Sequence, residues 1–281
     1  MTTGLALLAS LLWGTADFLG GTAARRLPAT GVVAISQGMA LLGLLVVAGA
    51  TGAYDDPIGY LGWALAAAVV GLIALTGFYA ALADGTMGVV APIAALGVAV
   101  PVAVGVAQGD RPSGWQGAGL VIAVVGVVLA SGPELRTDPA GSRGGRRPLL
   151  LAVVAAIGFG TVLVCVSHGA RTSTVMTLLV MRASSVGILV VLASAGQVQI
   201  RAKRSDLLLL AAIGAGDVGA NAAMAVASTR GLLSVVAVLS SLYPAVTVLL
   251  ARSVHEERMQ RMQALGVAGA LAGVVLIASG G

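Results

Sequence analysis

The sequence predicts an all-α, polytopic membrane protein in which ten transmembrane helices form two inverted five-helix repeats around a central cavity. Composition is the first observation behind this fold class, because 58% of the 281 residues are hydrophobic and only 10% are charged, outside the range of soluble domains. The second is that the charged residues gather in short clusters between long apolar runs, which do not alternate as amphipathic strands do. The third is an internal match between the two halves of the chain. Most of the surface is therefore expected to face lipid.

Ten apolar segments reach the length of roughly 20 helical residues that the hydrocarbon core of a bilayer requires. Turn-forming sequences such as Asp84-Gly85 separate neighbouring segments. The first segment has no basic residue before it and a longer apolar core than a signal peptide, so it is interpreted as a retained span. The segments cover residues 3–22, 29–50, 59–82, 87–107, 114–132, 149–168, 175–196, 206–228, 232–252 and 263–280.

Charge and cysteine usage exclude several classes of function. The formal net charge of +5 comes from arginine clusters beside apolar runs, which in a membrane protein indicates orientation rather than nucleic-acid binding. Cys165 is the only cysteine, so neither a disulfide framework nor a cysteine-based metal site is available. We therefore predict no nucleic-acid partner, no metal site and no cofactor.

The longest polar stretch divides the chain nearly in half. Residues 133–148 are rich in arginine, glycine and proline, which is typical of a flexible linker. The sequence therefore predicts a first five-helix repeat at residues 1–132 and a second at residues 149–281.

The two halves match at nearly constant offsets. Gly14-Thr15 precedes Gly160-Thr161 by 146 residues, and Asp110-Arg111 precedes Glu257-Arg258 by 147. Because each unit holds an odd number of spans, the second copy is expected to enter the membrane with the opposite orientation. Inverted repeats of this kind let a site between the halves open first to one side of the membrane and then to the other. The alternative is a duplication kept only for stability.

These features resemble the EamA-type, ten-helix members of the drug/metabolite transporter superfamily over almost the entire chain. The motifs that carry the resemblance are Trp13-Gly14, Arg25-Arg26 followed by Pro28, the late-span prolines Pro101 and Pro244, and the acid-to-glycine sequence Glu257 to Gly266. The resemblance implies a basket of ten helices around a central cavity, with transport driven by a proton gradient or by exchange. The chain departs from the family pattern where the arginine of the second helix, present as Arg182, is replaced by Gln37 in the first half.

Three charged residues lie well inside predicted spans: Asp17, Arg182 and Asp217. Such residues cost at least about 2.5–3.5 kcal/mol to insert, so they usually face protein or water and are candidates for function. Burial favours the neutral form of a carboxyl group, so Asp17 and Asp217 are predicted to take up and release protons during transport. The alternative is that either carboxylate pairs with Arg182 or caps a broken helix.

Arg182 keeps its charge at all accessible pH values and is a candidate to bind a substrate carboxylate or phosphate. A structural ion pair with one of the aspartates is the competing interpretation. On the eighth span, Asn221 follows Asp217 by four residues, and Met224 and Ser228 share the same helical face. This face is predicted to line the cavity, with Asn221 contacting substrate.

The remaining candidates are polar or aromatic residues within spans. Those assigned to substrate binding are Trp13, Gln37, Tyr79, Ser240, Ser241 and Tyr243. Those assigned to hinges, because proline leaves a carbonyl without its helical donor, are Pro92, Pro101 and Pro244. Packing within or between helices is the alternative role for these groups. No catalytic residue is predicted.

We therefore expect a secondary transporter that moves a small metabolite by alternating access, with proton-coupled efflux of amino acids or drug-like metabolites as the leading interpretation. Uptake or exchange of sugars or nucleotide conjugates is the alternative. An intramembrane enzyme is disfavoured because the sequence has no His-Glu-x-x-His or Gly-x-Ser-x-Gly pattern. The protein is expected in the cell membrane as a monomer or homodimer, with the lipid bilayer, protons and a small molecule as partners.

Membrane orientation stays open at this stage. With both termini cytoplasmic, as the resemblance implies, the outside loops hold 12 Lys and Arg residues and the inside loops hold 3. This distribution is the reverse of the positive-inside rule.

Overall fold

The computed structural model describes residues 2–85, 90–91, 93–94, 97, 99–109, 111, 113–130, 146–255, 261–262, 265–266, 268–269, 272–273 and 276. Every regular element in these residues is helical, which confirms the all-α class. The α-helices of the first half are α1 (Thr2–Ala24), α2 (Ala29–Thr51), α3 (Leu61–Asp84), α4 (Ala99–Ala107) and α5 (Gly114–Ala130). Those of the second half are α6 (Arg146–Ala170), α7 (Thr174–Ser194), α8 (Leu207–Ser228), α9 (Leu233–Ser240) and α10 (Tyr243–His255).

Six helical segments within the described residues are long and apolar enough to cross a membrane. They correspond to the first, second, third, sixth, seventh and eighth predicted spans, which are the first three spans of each half. Two differences from the predicted bounds stand out. Helix α6 begins at Arg146, so the last three residues assigned to the linker are helical, with Pro148 in the first turn, where proline is tolerated. The ninth predicted span consists of two helices, α9 and α10, with a turn between them.

The outer surface of the bundle carries large apolar side chains. Val46 is 72% exposed, Leu208 is 83% exposed and Val191 is 65% exposed. Exposed apolar patches of this kind mark surfaces that are covered by lipid or protein. Together with the six apolar helices, they are the surface expected of a multi-pass integral membrane protein.

The contacts between the two halves come in exchanged pairs. Helix α1 packs against α8, and in the same way α6 packs against α3. Helix α2 packs against α8, and α7 packs against α3. Helix α1 also packs against α9 and α10, as α6 does against α4. These contacts of the first half with the second therefore have counterparts with the halves exchanged.

Small residues allow these close helix contacts. A Cβ at Gly14 of α1 would lie 2.5 Å from the backbone oxygen of Tyr243 in α10. A Cβ at Gly160, the repeat partner of Gly14, would overlap the backbone oxygen of Gly97. Membrane helices associate largely through such close packing of backbones, because lipid tails are as apolar as the helices themselves. The matching glycines explain why the motif Gly-Thr occurs at the same place in both halves.

The two ends of the bundle are joined differently. At one end, Arg26 after α1 forms an ion pair with Asp206 before α8, at 3.2 Å between guanidinium nitrogen and carboxylate oxygen. At the other end the connection between α6 and α7 packs against the connection between α2 and α3, where the side chain of Thr172 lies beside Gly59. Thr172 is 146 residues after Arg26, the offset that relates Gly14 to Gly160. The halves are therefore joined by a charged contact at one end of the bundle and by a neutral contact at the other.

Candidate functional site

A cavity lies among α1, α3, α6, α7 and α8, with the first residue of α10 on one side, and its empty space of about 650 Å³ includes the part that is open to the surroundings. Its wall is mostly apolar, with a few polar groups that converge from different helices. The lining residues are Trp13, Asp17, Ala67, Gly71, Leu75, Phe159, Val162, Leu163, Met181, Arg182, Ser185, Asp217, Asn221 and Tyr243.

An ion pair between Arg182 and Asp217 crosses the cavity wall from α7 to α8. The Nη2 atom of Arg182 contacts the Oδ2 atom of Asp217. The Arg182 side chain is 6% exposed and the Asp217 side chain is 17% exposed, so water screens the pair poorly. Of the two interpretations of Arg182, the geometry shows the structural ion pair.

Two further donors reach the same carboxylate. The indole Nε1 of Trp13 donates a hydrogen bond to Oδ1 of Asp217 at 3.2 Å. The side-chain amide of Asn221 donates to the same oxygen at 3.1 Å and to the backbone oxygen of Asp217 at 2.7 Å. Hydrogen bonds to the ionised form stabilise it. Helices α1, α7 and α8 are therefore tied together through a single carboxylate.

Asp17 has no such network. It lies one turn after Trp13 on α1 and is 7% exposed. Its carboxylate faces the cavity and interacts electrostatically with Asp217. Among the described residues, neither an ion pair nor a hydrogen bond holds the Asp17 side chain. The two aspartates that the sequence singles out therefore have different environments.

Three aromatic side chains, Trp13, Phe159 and Tyr243, form what we call the aromatic wall. The rings of Trp13 and Tyr243 meet edge to face, with centroids 6.3 Å apart and planes at 72°, an arrangement that aromatic pairs prefer. The hydroxyl of Tyr243 is buried without a hydrogen-bond partner in the described part of the chain. The aromatic wall also borders a smaller space of about 250 Å³, so these rings separate two adjoining cavities.

The other predicted substrate contacts lie away from the main cavity. Ser241, in the turn after α9, lines the smaller cavity, and its hydroxyl donates to the backbone oxygen of Val238 in α9 at 2.8 Å. Gln37 and Ser240 are buried, and neither lines a described cavity. Tyr79 is 1% exposed and packs against Gly20 of α1, so it closes the core near the cavity rather than lining it.

The predicted cavity face of α8 is only partly correct. Asp217 and Asn221 line the cavity. Met224 packs in the hydrophobic core, and the Ser228 hydroxyl donates to the backbone oxygen of Ala225 at 2.8 Å. The face of α8 that lines the cavity at Asp217 and Asn221 therefore passes into the hydrophobic core at Met224.

The hinge candidates differ in position. Pro244 is the second residue of α10 and follows directly the turn that breaks the ninth span, where its missing amide costs no helical hydrogen bond. Pro101 is buried in the first turn of α4. Pro92 lies outside the described residues.

Phe159 and Ser185 are among the lining residues that were not predicted from the sequence. Phe159 follows Trp13 by 146 residues, the offset that relates Gly14 to Gly160. The internal match could therefore have predicted Phe159 as a lining residue. Ser185 follows Arg182 by three residues and donates to the backbone oxygen of Ala68 at 3.2 Å. The helical spacing from Arg182 placed it on the same face.

Comparisons with known proteins agree with this arrangement. One solved crystal structure is similar in fold to 98% of this chain and to 95% of its own length, with a TM-score of 0.74 and 19% sequence identity. No curated protein matches the sequence. The EamA-like transporter family matches residues 2–132 and 146–279, which together span both halves. The chain therefore belongs to the EamA-like transporter family, whose members move small molecules across membranes.

Proposed function

We propose that this protein is a secondary transporter that couples the movement of a small metabolite to protons by alternating access. Within this proposal the transport is efflux of amino acids or drug-like metabolites across the cell membrane. The observation that carries the proposal is the Asp17 carboxylate, which faces a cavity inside the bundle without a counter-ion among the described residues.

An unpaired carboxylate within the bilayer suits proton coupling. Its charged form is costly in apolar surroundings, so a proton or another cation must accompany it when water leaves the cavity. Asp217 is different, because Arg182 already supplies the opposite charge. Asp17 is therefore the proton-carrying group, and Asp217 organises the three helices around it.

The exchanged contacts between the halves support the proposal of two inverted repeats, at residues 1–132 and 149–281. A two-fold relation between the halves would explain why the packing of α1 and α2 on α8 is matched by the packing of α6 and α7 on α3. In such folds, the substrate site lies at the interface of the repeats near the midplane of the membrane. Trp13 and Phe159, which are repeat partners, meet at the cavity.

Contacts at the two ends of the bundle suggest how the site would open to alternate sides of the membrane. The ion pair of Arg26 with Asp206 joins the halves at one end of the bundle, and the contact of Thr172 with Gly59 joins them at the other. Alternating access requires one end to separate while the other stays closed. The break between α9 and α10 beside Pro244 provides a position for the hinge.

Uptake or exchange of sugars or nucleotide conjugates remains the alternative. Transport of nucleotide conjugates receives little support from Arg182, because the guanidinium that would bind a phosphate already contacts Asp217.

The test is transport in reconstituted vesicles with a panel of labelled amino acids, sugars, nucleotide conjugates and organic cations, each with and without a proton gradient. We expect gradient-driven accumulation of at least one compound by the wild-type protein. Asp17→Asn should abolish it, because an amide cannot carry a proton. Asp84→Asn is the matched control, since Asp84 is half exposed in an ion pair with Arg147 and should keep the wild-type rate. Unchanged gradient-driven accumulation in a folded Asp17→Asn protein would contradict proton coupling through this carboxylate.

A further inference from the structure

The charges that line the main cavity do not cancel. Among the described lining residues, Asp17 and Asp217 are acidic and Arg182 is basic. With all three ionised, the cavity carries one uncompensated negative charge. An uncompensated charge in a low-dielectric site favours a ligand of opposite sign.

Arg182 is poorly placed to bind an anion. Its Nη2 atom already contacts Asp217, so an anionic ligand would have to compete with a carboxylate that is built into α8. Such a ligand would also bring a second negative charge beside Asp17. Both effects oppose the binding of carboxylates and phosphates in this cavity.

Hydrogen bonding shows which of the two aspartates carries the uncompensated negative charge. Asp217 receives donors from Trp13 and Asn221 in addition to its ion pair. Asp17 receives no comparable donor from the described residues, and a buried carboxylate without donors binds an external donor strongly. The ligand's charged group therefore belongs at Asp17.

The rest of the site suits an apolar body. Trp13 of the aromatic wall precedes Asp17 by one helical turn on α1, and both line the cavity. Aromatic faces attract organic cations. The hydroxyl of Tyr243 is more than nine-tenths buried and has no partner in the described part of the chain, so it is available to accept a hydrogen bond from an N–H group.

We propose that the substrate is an organic monocation with an apolar or aromatic body, whose cationic group binds at Asp17 and whose body packs on the aromatic wall. The proposal rests on the proposed function, because it assigns a substrate class to the same cavity. It narrows the range of metabolites to amines, quaternary ammonium compounds and related cations.

Binding to the purified full-length protein in lipid nanodiscs tests the proposal. The probes are benzyltrimethylammonium, benzyl alcohol and phenylacetate, which share a benzyl group and differ in charge. We expect benzyltrimethylammonium to bind at least about tenfold more tightly than the other two, a ratio that corresponds to about 1.4 kcal/mol. Asp17→Asn should lower its affinity to that of benzyl alcohol. Asp17→Glu should restore most of the preference, and Asp84→Asn should leave it unchanged.

The outcomes separate the substrate class from the transport function. Tighter binding of phenylacetate or benzyl alcohol, no saturable binding of the cation, or an unchanged cation affinity in a folded Asp17→Asn protein would overturn the proposal. If one of these results accompanies proton-driven transport of another compound from the panel, the substrate class is wrong and the transport function stands. If the cation binds through Asp17 but no compound moves with protons, the substrate class stands and the transport function fails.

Discussion

Breaking the ion pair of Arg182 with Asp217 should destabilise the bundle more than breaking any exposed pair. Both side chains are largely buried, at 6% and 17% exposure, and removal of one partner of a buried pair costs about 3–5 kcal/mol. The two single variants should differ. Asp217→Asn leaves a buried guanidinium that cannot lose its proton and whose Nε has no hydrogen-bond partner among the described residues. Arg182→Gln leaves a carboxylate that keeps the donors of Trp13 and Asn221.

We therefore expect Asp217→Asn to lower the free energy of unfolding by about 3–5 kcal/mol and Arg182→Gln to lower it by less. The double variant Arg182→Gln/Asp217→Asn should be more stable than Asp217→Asn alone, since it no longer contains the guanidinium that the single substitution leaves without its partner. The assay is unfolding by SDS in mixed micelles, followed by far-ultraviolet circular dichroism, with the four proteins of a double-mutant cycle.

The matched control is the pair of Arg147 with Asp84, which are 78% and 49% exposed at 3.5 Å. Exposed pairs are worth about 0–1 kcal/mol, so the same cycle there should give little coupling. A coupling energy for Arg182 and Asp217 no larger than that of the control would refute the reasoning.

The remaining predictions concern the contacts between the halves. Gly14→Ala should lower stability by about 1–3 kcal/mol, the usual cost of overpacking, because its new methyl group would overlap the backbone of α10. Gly38→Ala, where nothing lies within 4 Å of the added Cβ, should be neutral or slightly stabilising, and equal effects in thermal unfolding would contradict the close packing of α1 on α10. Arg26→Ala should speed hydrogen–deuterium exchange in the connection between α7 and α8, because it removes the ion pair that holds this end together. An unchanged exchange rate in this connection would mean that the ion pair of Arg26 with Asp206 does not stabilise this end of the bundle.

The sequence was most informative where the membrane makes a residue costly. Asp17, Arg182 and Asp217 stand out because charge inside a span is expensive, and all three line the cavity. Trp13 and Asn221 followed from helical spacing to the aspartates, and both contact Asp217. The first three spans of each half were also predictable, because a run of about 20 apolar residues is a strong signal.

Other features depend on geometry that one-dimensional spacing does not contain. Arg182 forms its ion pair with Asp217 and not with Asp17. Which of the two aspartates it pairs with depends on the rotation of α7 relative to α1 and α8. Gln37 and Ser240 were predicted to contact substrate, but the rotation of their helices buries them away from both described cavities. Pro244 predicted a hinge in the ninth span but not its division into two helices. A proline constrains the local backbone and does not determine the direction of the next helix.

Proton movement through Asp17 is the central claim, and substrate-driven proton flux measures it most directly. Vesicles containing the reconstituted protein and a trapped pH-sensitive dye receive a gradient of the compound that the transport panel identifies, with no initial pH gradient. In the wild-type protein, movement of the compound should shift the internal pH, and Asp17→Asn should abolish this shift while Asp84→Asn retains it. A compound that crosses with the wild-type protein and leaves the internal pH constant would contradict the claim.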